Sequence, residues 1–307
     1  MRMPAPSRRR PSRRDILAGL GAVGLTGVAT ASYAFAVEPG LRLTVTPYSF
    51  TPPRWTPGLR LRVAVLSDIH AGGRHMQLPR LERVVAATNA LAPDLILMLG
   101  DYAGGDYVVT PSLMRDIAAR LAVLDAPLGV WGILGNHEWW EDPQAQRLRR
   151  GPTMTHHAFA EAGLRLLEND AVRLAKGDQL FWLVGLGDQL AFRRGRGRYE
   201  GVDDLPGALA RVSDEAPAIL LAHEPDLFAR VPDRVSLTLS GHTHGGQVRL
   251  LGWSPVVPSK FGNRYAYGHV VEGERHLVVS GGLGTVSAGL APVRFGVPPE
   301  IVLLELG

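Results

Sequence analysis

The 307-residue chain contains no cysteine. Disulfide bonds and thiolate metal ligands are therefore excluded, and any metal site must be built from histidine, aspartate, glutamate and asparagine. Internal repeats and low-complexity runs are also missing, and 46% of the residues are hydrophobic. This composition is typical of an ordinary globular protein, and the length allows one domain of about 250 residues after a leader.

Most of the chain has no excess of positive charge, because the net charge of +4 comes from its first residues. The first fifteen residues contain six arginines and one acid, Asp15, so they carry +5 and the remainder carries −1. A nearly neutral body gives no electrostatic reason to bind DNA or RNA. We therefore expect no nucleic-acid partner.

Residues 1–36 have the features of a targeting segment but lack a run rich in leucine, isoleucine and phenylalanine. Arginines and the motif Ser12-Arg13-Arg14-Asp15-Ile16-Leu17 precede a mild apolar run over 18–36. The segment resembles a twin-arginine export signal, which predicts the twin-arginine export machinery as a partner and a periplasmic or other extracytoplasmic location. The alternative is a plain membrane anchor, since about 19 residues just cross a bilayer. Cleavage after Ala36 and membrane association through residues 18–36 both stay open.

Apolar runs alternate with helix-like stretches after the leader, and residues 37–58 are predicted to be a lead-in segment. Strands are predicted at 59–66, 94–99, 128–134, 165–167, 171–174, 179–185, 218–222, 235–239, 247–251, 270–272, 276–280 and 300–304, and helices at 78–91, 111–124 and 205–212. The β-α-β order of the first half predicts parallel strands with helical crossovers. The shorter strands of the second half favour an α/β domain with two mixed sheets over one doubly wound sheet.

Polar clusters follow five of the predicted strands: Asp68-Ile69-His70, Gly100-Asp101, Gly135-Asn136-His137-Glu138, His223-Glu224 and Gly241-His242-Thr243-His244. The carboxyl ends of parallel strands face one crevice, so we expect these clusters to meet there. In extended backbone, residues two apart project to the same side, which makes Asp68 with His70, and His242 with His244, possible chelating pairs. The glycines at 100, 135 and 241 would allow tight turns before the ligands.

Oxygen and imidazole donors of this kind suit Mn, Fe or Zn better than Mg or Ca. One ion would not use seven ligands: Asp68, His70, Asp101, Asn136, His223, His242 and His244. Two divalent ions about 3.5–4 Å apart would use them all and would stabilise the entering and leaving oxygens of a phosphoryl transfer. The residues therefore predict a dinuclear metal centre.

The motif order DxH, GD, GNH(D/E), H and GHxH resembles the calcineurin-like metallophosphoesterases from Leu59 to Leu306, and the leader with Glu38-Pro39-Gly40 resembles their twin-arginine-exported or membrane-anchored bacterial branch. The resemblance implies that residues 59–307 form a catalytic domain with the family's four-layer α-β-β-α sandwich. It implies that Asp68, His70, Asp101 and His244 hold one metal and that Asp101, Asn136, His223 and His242 hold the other. Asp101 would then be the bridge.

The resemblance also assigns catalytic roles. His137 would protonate the leaving oxygen or stabilise the phosphoryl group, Glu138 would orient His137, and a metal-bridging hydroxide would attack phosphorus. The chain departs from the family pattern at Glu138, where many relatives have aspartate, and at Gly281, where an arginine is expected. If that arginine contacts substrate, specificity here differs.

The predicted function is a metal-dependent phosphohydrolase acting on a phosphate ester. A phosphodiester is the favoured substrate, and lipid-linked diesters are included in that class. A pyrophosphatase acting on a lipid-linked nucleotide such as UDP-2,3-diacylglucosamine, on the way to lipid A, is one alternative. A nuclease or phosphomonoesterase is another, and a non-catalytic metal-binding envelope protein is the alternative of a different class. Trp139 and Trp140 are either an apolar wall of the site or core residues, and the arginines of 193–198 either hold an anion or lie in a solvated loop.

Overall fold

The computed structural model describes residues 12–287 and 292–307, so residues 1–11 of the predicted leader lie outside the described residues. The strands are β1 Thr44–Phe50, β2 Leu61–Leu66, β3 Leu95–Met98, β4 Val130–Gly132, β5 Arg165–Leu166, β6 Asp170–Lys176, β7 Gln179–Gly185, β8 Phe192–Arg193, β9 Tyr199–Glu200, β10 Ala218–Leu221, β11 Leu237–Ser240, β12 Gly268–Glu272, β13 Arg275–Val279 and β14 Glu300–Leu306. The α-helices are α1 Arg13–Ser32, α2 Glu38–Leu41, α3 Leu78–Ala90, α4 Pro111–Leu121, α5 Asn136–Trp140, α6 Pro143–Leu148, α7 Met154–Ala162 and α8 Leu205–Leu209. A π-helical turn, Tyr33–Val37, joins α1 to α2, and short 3-10 helices occur at Pro225–Arg230, His244–Gly246 and Gly262–Tyr265.

Two six-stranded mixed sheets form the centre of the fold. The first has the order β1-β14-β2-β3-β4-β5, in which β2 to β5 are parallel and β14 is antiparallel to β2. The second has the order β12-β13-β11-β10-β7-β6, with a parallel centre and an antiparallel strand at each edge. The parallel strands of each sheet therefore direct their carboxyl ends to one side of that sheet.

The apolar run of β3 explains how the first sheet is covered on both faces. Leu95 and Leu97 pack into the core between the two sheets, whereas Ile96 and Met98 pack against the outer core under α3, α4 and α7. All four side chains have 0% exposure, as expected for a strand buried on both faces. Alternation along one strand thus supplies two separate hydrophobic cores.

The second sheet is covered in the same way. Ile219 and Leu221 of β10 face the core between the sheets, and Leu220 faces a third core with Ala208 of α8 and Phe228 of the nearby 3-10 helix. The layers are helix, sheet, sheet and helix, which confirms the predicted four-layer α/β architecture. Burial of about 25 cal/mol per Å² of apolar surface in these three cores is the main force that holds the layers together.

Helices α5, α6 and α7 and strands β8 and β9 were not predicted from the sequence, and two further segments differ from their prediction. The predicted lead-in, residues 37–58, contains β1, which pairs in parallel with β14 and so belongs to the first sheet. The strand predicted at 247–251 is wrong. Positive φ angles at Gly245, Gly246 and Gln247 turn the chain there, and only single bridges join Val248 to Phe295 and Leu250 to Trp253.

The described part of the predicted leader is helical. α1, the π-helical turn and α2 follow one another without interruption from Arg13 to Leu41. Across residues 12–287 and 292–307, no helix combines the length and the apolar character needed to cross a bilayer.

Gly100 gives a direct test of how closely the strand ends are packed. Its φ is +94°, and an added Cβ would lie 2.3 Å from the backbone nitrogen of Gly135. We expect Gly100→Ala to lower the free energy of unfolding by about 2–5 kcal/mol, because a left-handed conformation and a backbone clash both oppose the methyl group. Urea denaturation would measure the loss.

Gly58→Ala is the matched control. Gly58 has a similar φ of +87° but no atom within 4 Å of an added Cβ. Its loss should be about 1–2 kcal/mol, from backbone strain alone. Equal losses at both positions would contradict the close packing described for the ends of β3 and β4.

Candidate metal centre

Five loops at the carboxyl ends of strands carry the predicted ligands. They follow β2, β3 and β4 of the first sheet and β10 and β11 of the second. The loops bring together all seven predicted residues: Asp68, His70, Asp101, Asn136, His223, His242 and His244. Six of these residues are buried and His242 is partly exposed. The candidate site therefore lies where the ends of both sheets meet.

Left-handed backbone is concentrated in these loops. The φ angles of Asp68, His70, Asp101, His242 and His244 are 49°, 45°, 54°, 65° and 50°. The prediction that the two ligand pairs project from extended backbone is therefore wrong. Each such residue costs about 1–2 kcal/mol, and the pairing of neighbouring loops, such as the bond from the His70 N–H to the Asp101 carbonyl at 3.0 Å, offsets the strain.

Gly135 and Gly241 are needed for close approach and not for turning. Gly135 has an extended φ of −107°. An added Cβ would lie 2.4 Å from Asp101 Oδ1 at Gly135 and 2.4 Å from Asp68 Oδ2 at Gly241. The two carboxylates thus occupy the space that side chains at these positions would fill.

Asp68, His70 and His244 form the first group of candidate ligands. One ligand atom from each lies within 4.8 Å of the others. His70 Nε2 is 3.2 Å from His244 Nε2, and Asp68 Oδ1 is 3.5 Å from His244 Nε2. His70 donates its Nδ1 proton to the Gly104 carbonyl at 3.1 Å, which leaves its Nε2 lone pair directed at the group.

Asp101, His223 and His242 form the second group, again with ligand atoms within 4.8 Å. Asn136 joins them, because its Oδ1 is 2.8 Å from His242 Nδ1. His223 donates its Nδ1 proton to the Leu99 carbonyl at 2.6 Å. Its buried Nε2 makes no hydrogen bond within the described part of the chain, although Asp101 Oδ2 is 3.2 Å away. His242 and His244 therefore belong to different groups and do not chelate together.

Asp101 is the residue that adjoins both groups. Its Oδ2 is 3.2 Å from His223 Nε2 and 3.7 Å from His70 Nε2. Its Oδ1 accepts the backbone N–H of His137 at 2.9 Å. One carboxylate thus contacts a ligand of each group and fixes the start of α5.

The electrostatics of the site suit cations. Burial lowers the pKa of His70 and of His242 to about 3, so both imidazoles are neutral and can offer lone pairs. Burial would raise the pKa of Asp101, but His223 and His137 hold it well below its usual range. Burial raises the pKa of Asp68 to about 6, with the charge of Asp101 adding to the effect.

The donor set fits divalent metal ions on three observations. The Nε2 of His223 faces the Asp101 carboxylate, the two groups combine the neutral imidazoles of His70 and His242 with carboxylate and amide oxygens, and the far nitrogens of His70 and His223 are anchored by carbonyls. His244 differs, because its Nδ1 accepts from Arg294 at 3.1 Å. Its Nε2 proton is then donated to His70, so a cation bound there would displace that proton.

His137 lies beside both groups at the start of α5. Its Nδ1 is 3.2 Å from Glu141 Oε1, one turn along the helix. Burial lowers the pKa of His137, but Asp101, Glu141 and Glu138 together raise it above the usual value. The ring is therefore suited to carry a proton, and Glu141 is a contact that the sequence motif did not reveal, although its i,i+4 spacing could have suggested it.

The predicted role of Glu138, orienting His137, is wrong. Glu138 instead joins the loops that follow β3 and β4. Its carboxylate accepts the backbone N–H groups of Asp101 at 2.8 Å, Tyr102 at 2.8 Å and Gly135 at 2.9 Å. Burial raises its pKa to about 7, and the three donors favour the ionised form. The longer side chain of glutamate thus reaches backbone and not the neighbouring imidazole.

Arg294 is a second residue that sequence patterns missed. The guanidinium is fully buried and donates to His244 Nδ1, to the Gly281 carbonyl at 2.8 Å and to the Val297 carbonyl at 3.0 Å. Gly281, where the resemblance leads one to expect arginine, has no room for one, because an added Cβ would lie 2.8 Å from Val297 Cγ1. The positively charged side chain next to this loop is therefore that of Arg294.

A cavity of about 290 Å³ opens onto the two groups. Its polar wall includes Asp101, Asn136, His137, His242 and His244, and its apolar wall consists of Trp140, Val248, Val256, Pro258, Val286 and Val293. A polar floor beside an apolar wall suits a ligand that has a charged centre and an apolar group.

The two tryptophans after His137 have different roles. Trp139 is 2% exposed and packs edge-on against Phe192 in the core. Trp140 lines the cavity, stacks on Tyr199 and has the Arg193 guanidinium 4.3 Å from its ring centroid. The arginine-rich run thus forms the β8–β9 hairpin, whose first arginine covers a wall of the cavity.

Comparison with known proteins gives one family. The profile of the calcineurin-like phosphoesterases matches residues 61–246. The uncharacterized metallophosphoesterase YkuE of Bacillus subtilis is 31% identical over 304 residues, which cover 96% of this chain and 97% of that protein. The phosphodiesterase YaeI of Escherichia coli is 32% identical over 251 residues, covering 80% of this chain and 82% of YaeI.

Solved structures are more distant. The NAD nucleotidase of Haemophilus influenzae superposes with a TM-score of 0.48 at 14% identity, over 77% of this chain and 49% of that one.

Substitution of Glu138 tests its structural role. Glu138→Gln should lower the free energy of unfolding by about 1–3 kcal/mol, because an amide has one acceptor oxygen for three buried N–H donors. Urea denaturation in the presence of a chelator would separate this loss from metal binding. Glu141→Gln is the control and should cost less than about 1 kcal/mol, since the pair with His137 is partly exposed. A larger loss at Glu141 than at Glu138 would contradict this assignment.

Proposed function

Since the chain belongs to the calcineurin-like phosphoesterase family and is a metal-dependent phosphoester hydrolase, we propose that it is a phosphodiesterase that works with two divalent cations held on either side of Asp101. The observation that carries the proposal is the pair of ligand groups that share this carboxylate at the floor of one cavity. Because the seven side chains divide between the two groups, a single cation could not bind all of them.

Each group has enough donors for one cation. Asp68, His70 and His244 would hold the first with Asp101, and Asn136, His223 and His242 would hold the second with the same carboxylate. Mn, Fe or Zn fits this mixture of imidazole and oxygen donors. When bound, the two ions would supply positive charge to the phosphoryl oxygens and lower the pKa of a nearby water.

His137 is the residue placed to move a proton. Its Nδ1 is held by Glu141, so its Nε2 is the atom left to donate to the leaving oxygen. Carboxylates around it favour the protonated ring, which is the form a general acid needs. Glu141 acts by orienting the ring and not by touching the substrate.

A diester with an apolar group is the substrate class that we favour. Trp140, Val248 and Val256 lie on the wall next to the ligand groups and would accept an acyl or aromatic substituent. The relative YaeI is named a phosphodiesterase, which supports the same reaction. A lipid-linked diester outside the cytoplasm agrees with the twin-arginine motif in the leader, and the pyrophosphatase alternative, whose UDP-sugar substrate is cytoplasmic, stays second.

Hydrolysis of bis(p-nitrophenyl) phosphate with added Mn²⁺ tests the proposal. We expect turnover by the wild-type chain. With an alkyl diester, whose leaving alcohol needs a proton, kcat should fall about 10²–10⁴-fold for His137→Gln, because the leaving oxygen loses its proton donor. The fall should be much smaller with the p-nitrophenyl diester, whose leaving group departs as a stable anion. Metal content, measured by mass spectrometry, should be unchanged in that variant.

His156→Gln is the matched control, because His156 also pairs with a glutamate, Glu168 at 3.1 Å, but does not line the cavity. Its kcat should stay within about twofold of wild type, since it lies outside the proton path. Absence of turnover in both wild type and His137→Gln with Mn, Fe and Zn, while both proteins bind metal, would favour the non-catalytic metal-binding role.

A further inference from the structure

An exposed apolar hairpin stands beside the cavity. Leu250 and Trp253 pair through two backbone hydrogen bonds, of 2.8 Å and 3.0 Å, around a two-residue turn of Leu251 and Gly252. Leu250, Trp253 and Val256 are 57%, 58% and 50% exposed, and Leu251 is completely exposed. We call Leu250, Leu251 and Trp253 the apolar tip.

The turn is unusual because its first central residue is leucine. Leu251 has φ 52° and Gly252 has φ 83°, the signs of a type I′ turn. Asparagine, aspartate or glycine is the ordinary choice at the first of these positions, because a left-handed leucine is strained. A large apolar side chain with strained backbone and full exposure to water does not stabilise the fold. This points to a role for Leu251 in contact with a binding partner.

The tip is held rigidly at its base. Ser254 and Asn263 exchange two hydrogen bonds, from Ser254 N to Asn263 Oδ1 at 2.8 Å and from Asn263 Nδ2 to Ser254 O at 2.7 Å. Arg249 donates to the Gly252 carbonyl across the turn. The apolar surface is therefore formed in advance, and a partner need not order it.

Basic residues flank the tip along the chain. Residues 249–271 contain no aspartate or glutamate. Of their basic residues, Arg264 pairs with Glu272 at 2.7 Å, and Asp226 accepts the backbone N–H of Lys260 at 2.8 Å. Arg249 and Lys260 are in the loop on either side of the tip. An apolar tip with leucine and tryptophan between cations complements the surface of a bilayer that contains anionic phospholipids.

The base of the tip also adjoins the helical N-terminal segment. Phe295, which forms a β-bridge with Val248, packs edge-on against Tyr33 with ring centroids 6.0 Å apart. The backbone N–H of Arg294 donates to the Ala34 carbonyl at 3.0 Å. Along that segment Val23, Leu25 and Val28 are each at least 68% exposed. Two exposed apolar elements thus meet at one point of the fold.

We propose that the apolar tip inserts into the interface of a membrane that contains anionic phospholipids and holds the mouth of the cavity at the lipid surface. Val248 and Val256, on the two sides of the tip, line the cavity together with His242 and His244. A lipid-embedded diester would then pass from the bilayer along an apolar wall to the candidate metal centre. The membrane contact itself does not depend on catalysis.

Quenching of Trp253 fluorescence by brominated acyl chains tests this contact in the full chain. Trp253 is the exposed one of the six tryptophans, and α1 contains none, so the signal reports on the tip even if the leader also binds lipid. With vesicles of phosphatidylglycerol and phosphatidylethanolamine, brominated lipid should quench the wild type, and Trp253→Phe should remove the quenchable component.

Leu251→Glu should reduce vesicle partitioning and quenching by at least about tenfold, because a charge at the tip opposes insertion. Lys260→Gln should weaken partitioning about fivefold, with the difference lost at high salt. Leu148→Glu is the matched control, because Leu148 is another exposed leucine and lies in α6, outside the tip. It should leave vesicle partitioning and quenching unchanged.

Several results would overturn the proposal. One is wild-type protein that co-sediments with vesicles without quenching, and another is quenching that Leu251→Glu does not reduce. A third is concentration-dependent burial of Trp253 without lipid, which would identify a second copy of the chain as the partner. These measurements need neither metal nor turnover, so their failure is distinct from failure of the proposed phosphodiesterase activity.

Discussion

The structure depends on the cost of burying Asp101. A carboxylate that is 2% exposed is tolerated only where positive charge or hydrogen-bond donors compensate for lost water. His223 and the backbone N–H of His137 supply part of that compensation, and Glu138 fixes the loop that carries Asp101 by binding three backbone N–H groups. The remaining lone pairs around Asp101 are those that divalent cations would use.

The same constraint explains the backbone of the surrounding loops. Five of the seven candidate ligands adopt left-handed φ angles, and glycines 135 and 241 leave space that the carboxylates fill. Such strain persists only where a rigid scaffold enforces it. The two stacked sheets provide that scaffold, because each ligand loop follows a strand of one sheet, and the alternate residues of β2, β3 and β10 are fixed in two cores.

The central strands and the set of candidate ligands could be predicted from patterns in the sequence. Continuous apolar runs predicted the central strands, and the order of five polar motifs predicted the family and the residues that meet. What failed depends on three-dimensional contacts. Whether Glu138 or Glu141 reaches His137 is decided by the geometry of a five-residue helix, and Arg294 enters from a loop whose apolar and glycine-rich sequence has no recognisable motif. The apolar residues of 247–251 suggested a strand, but they form an exposed turn because adjacent residues reverse the chain.

The central claim is that Asp101 lies between two cations. Anomalous diffraction at the manganese edge, from crystals of the full chain grown with Mn²⁺, tests it most directly. Two anomalous peaks are expected, one within coordination distance of Asp68, His70 and His244 and one within that of Asn136, His223 and His242, with Asp101 touching both. A single peak, or peaks remote from Asp101, would contradict the account.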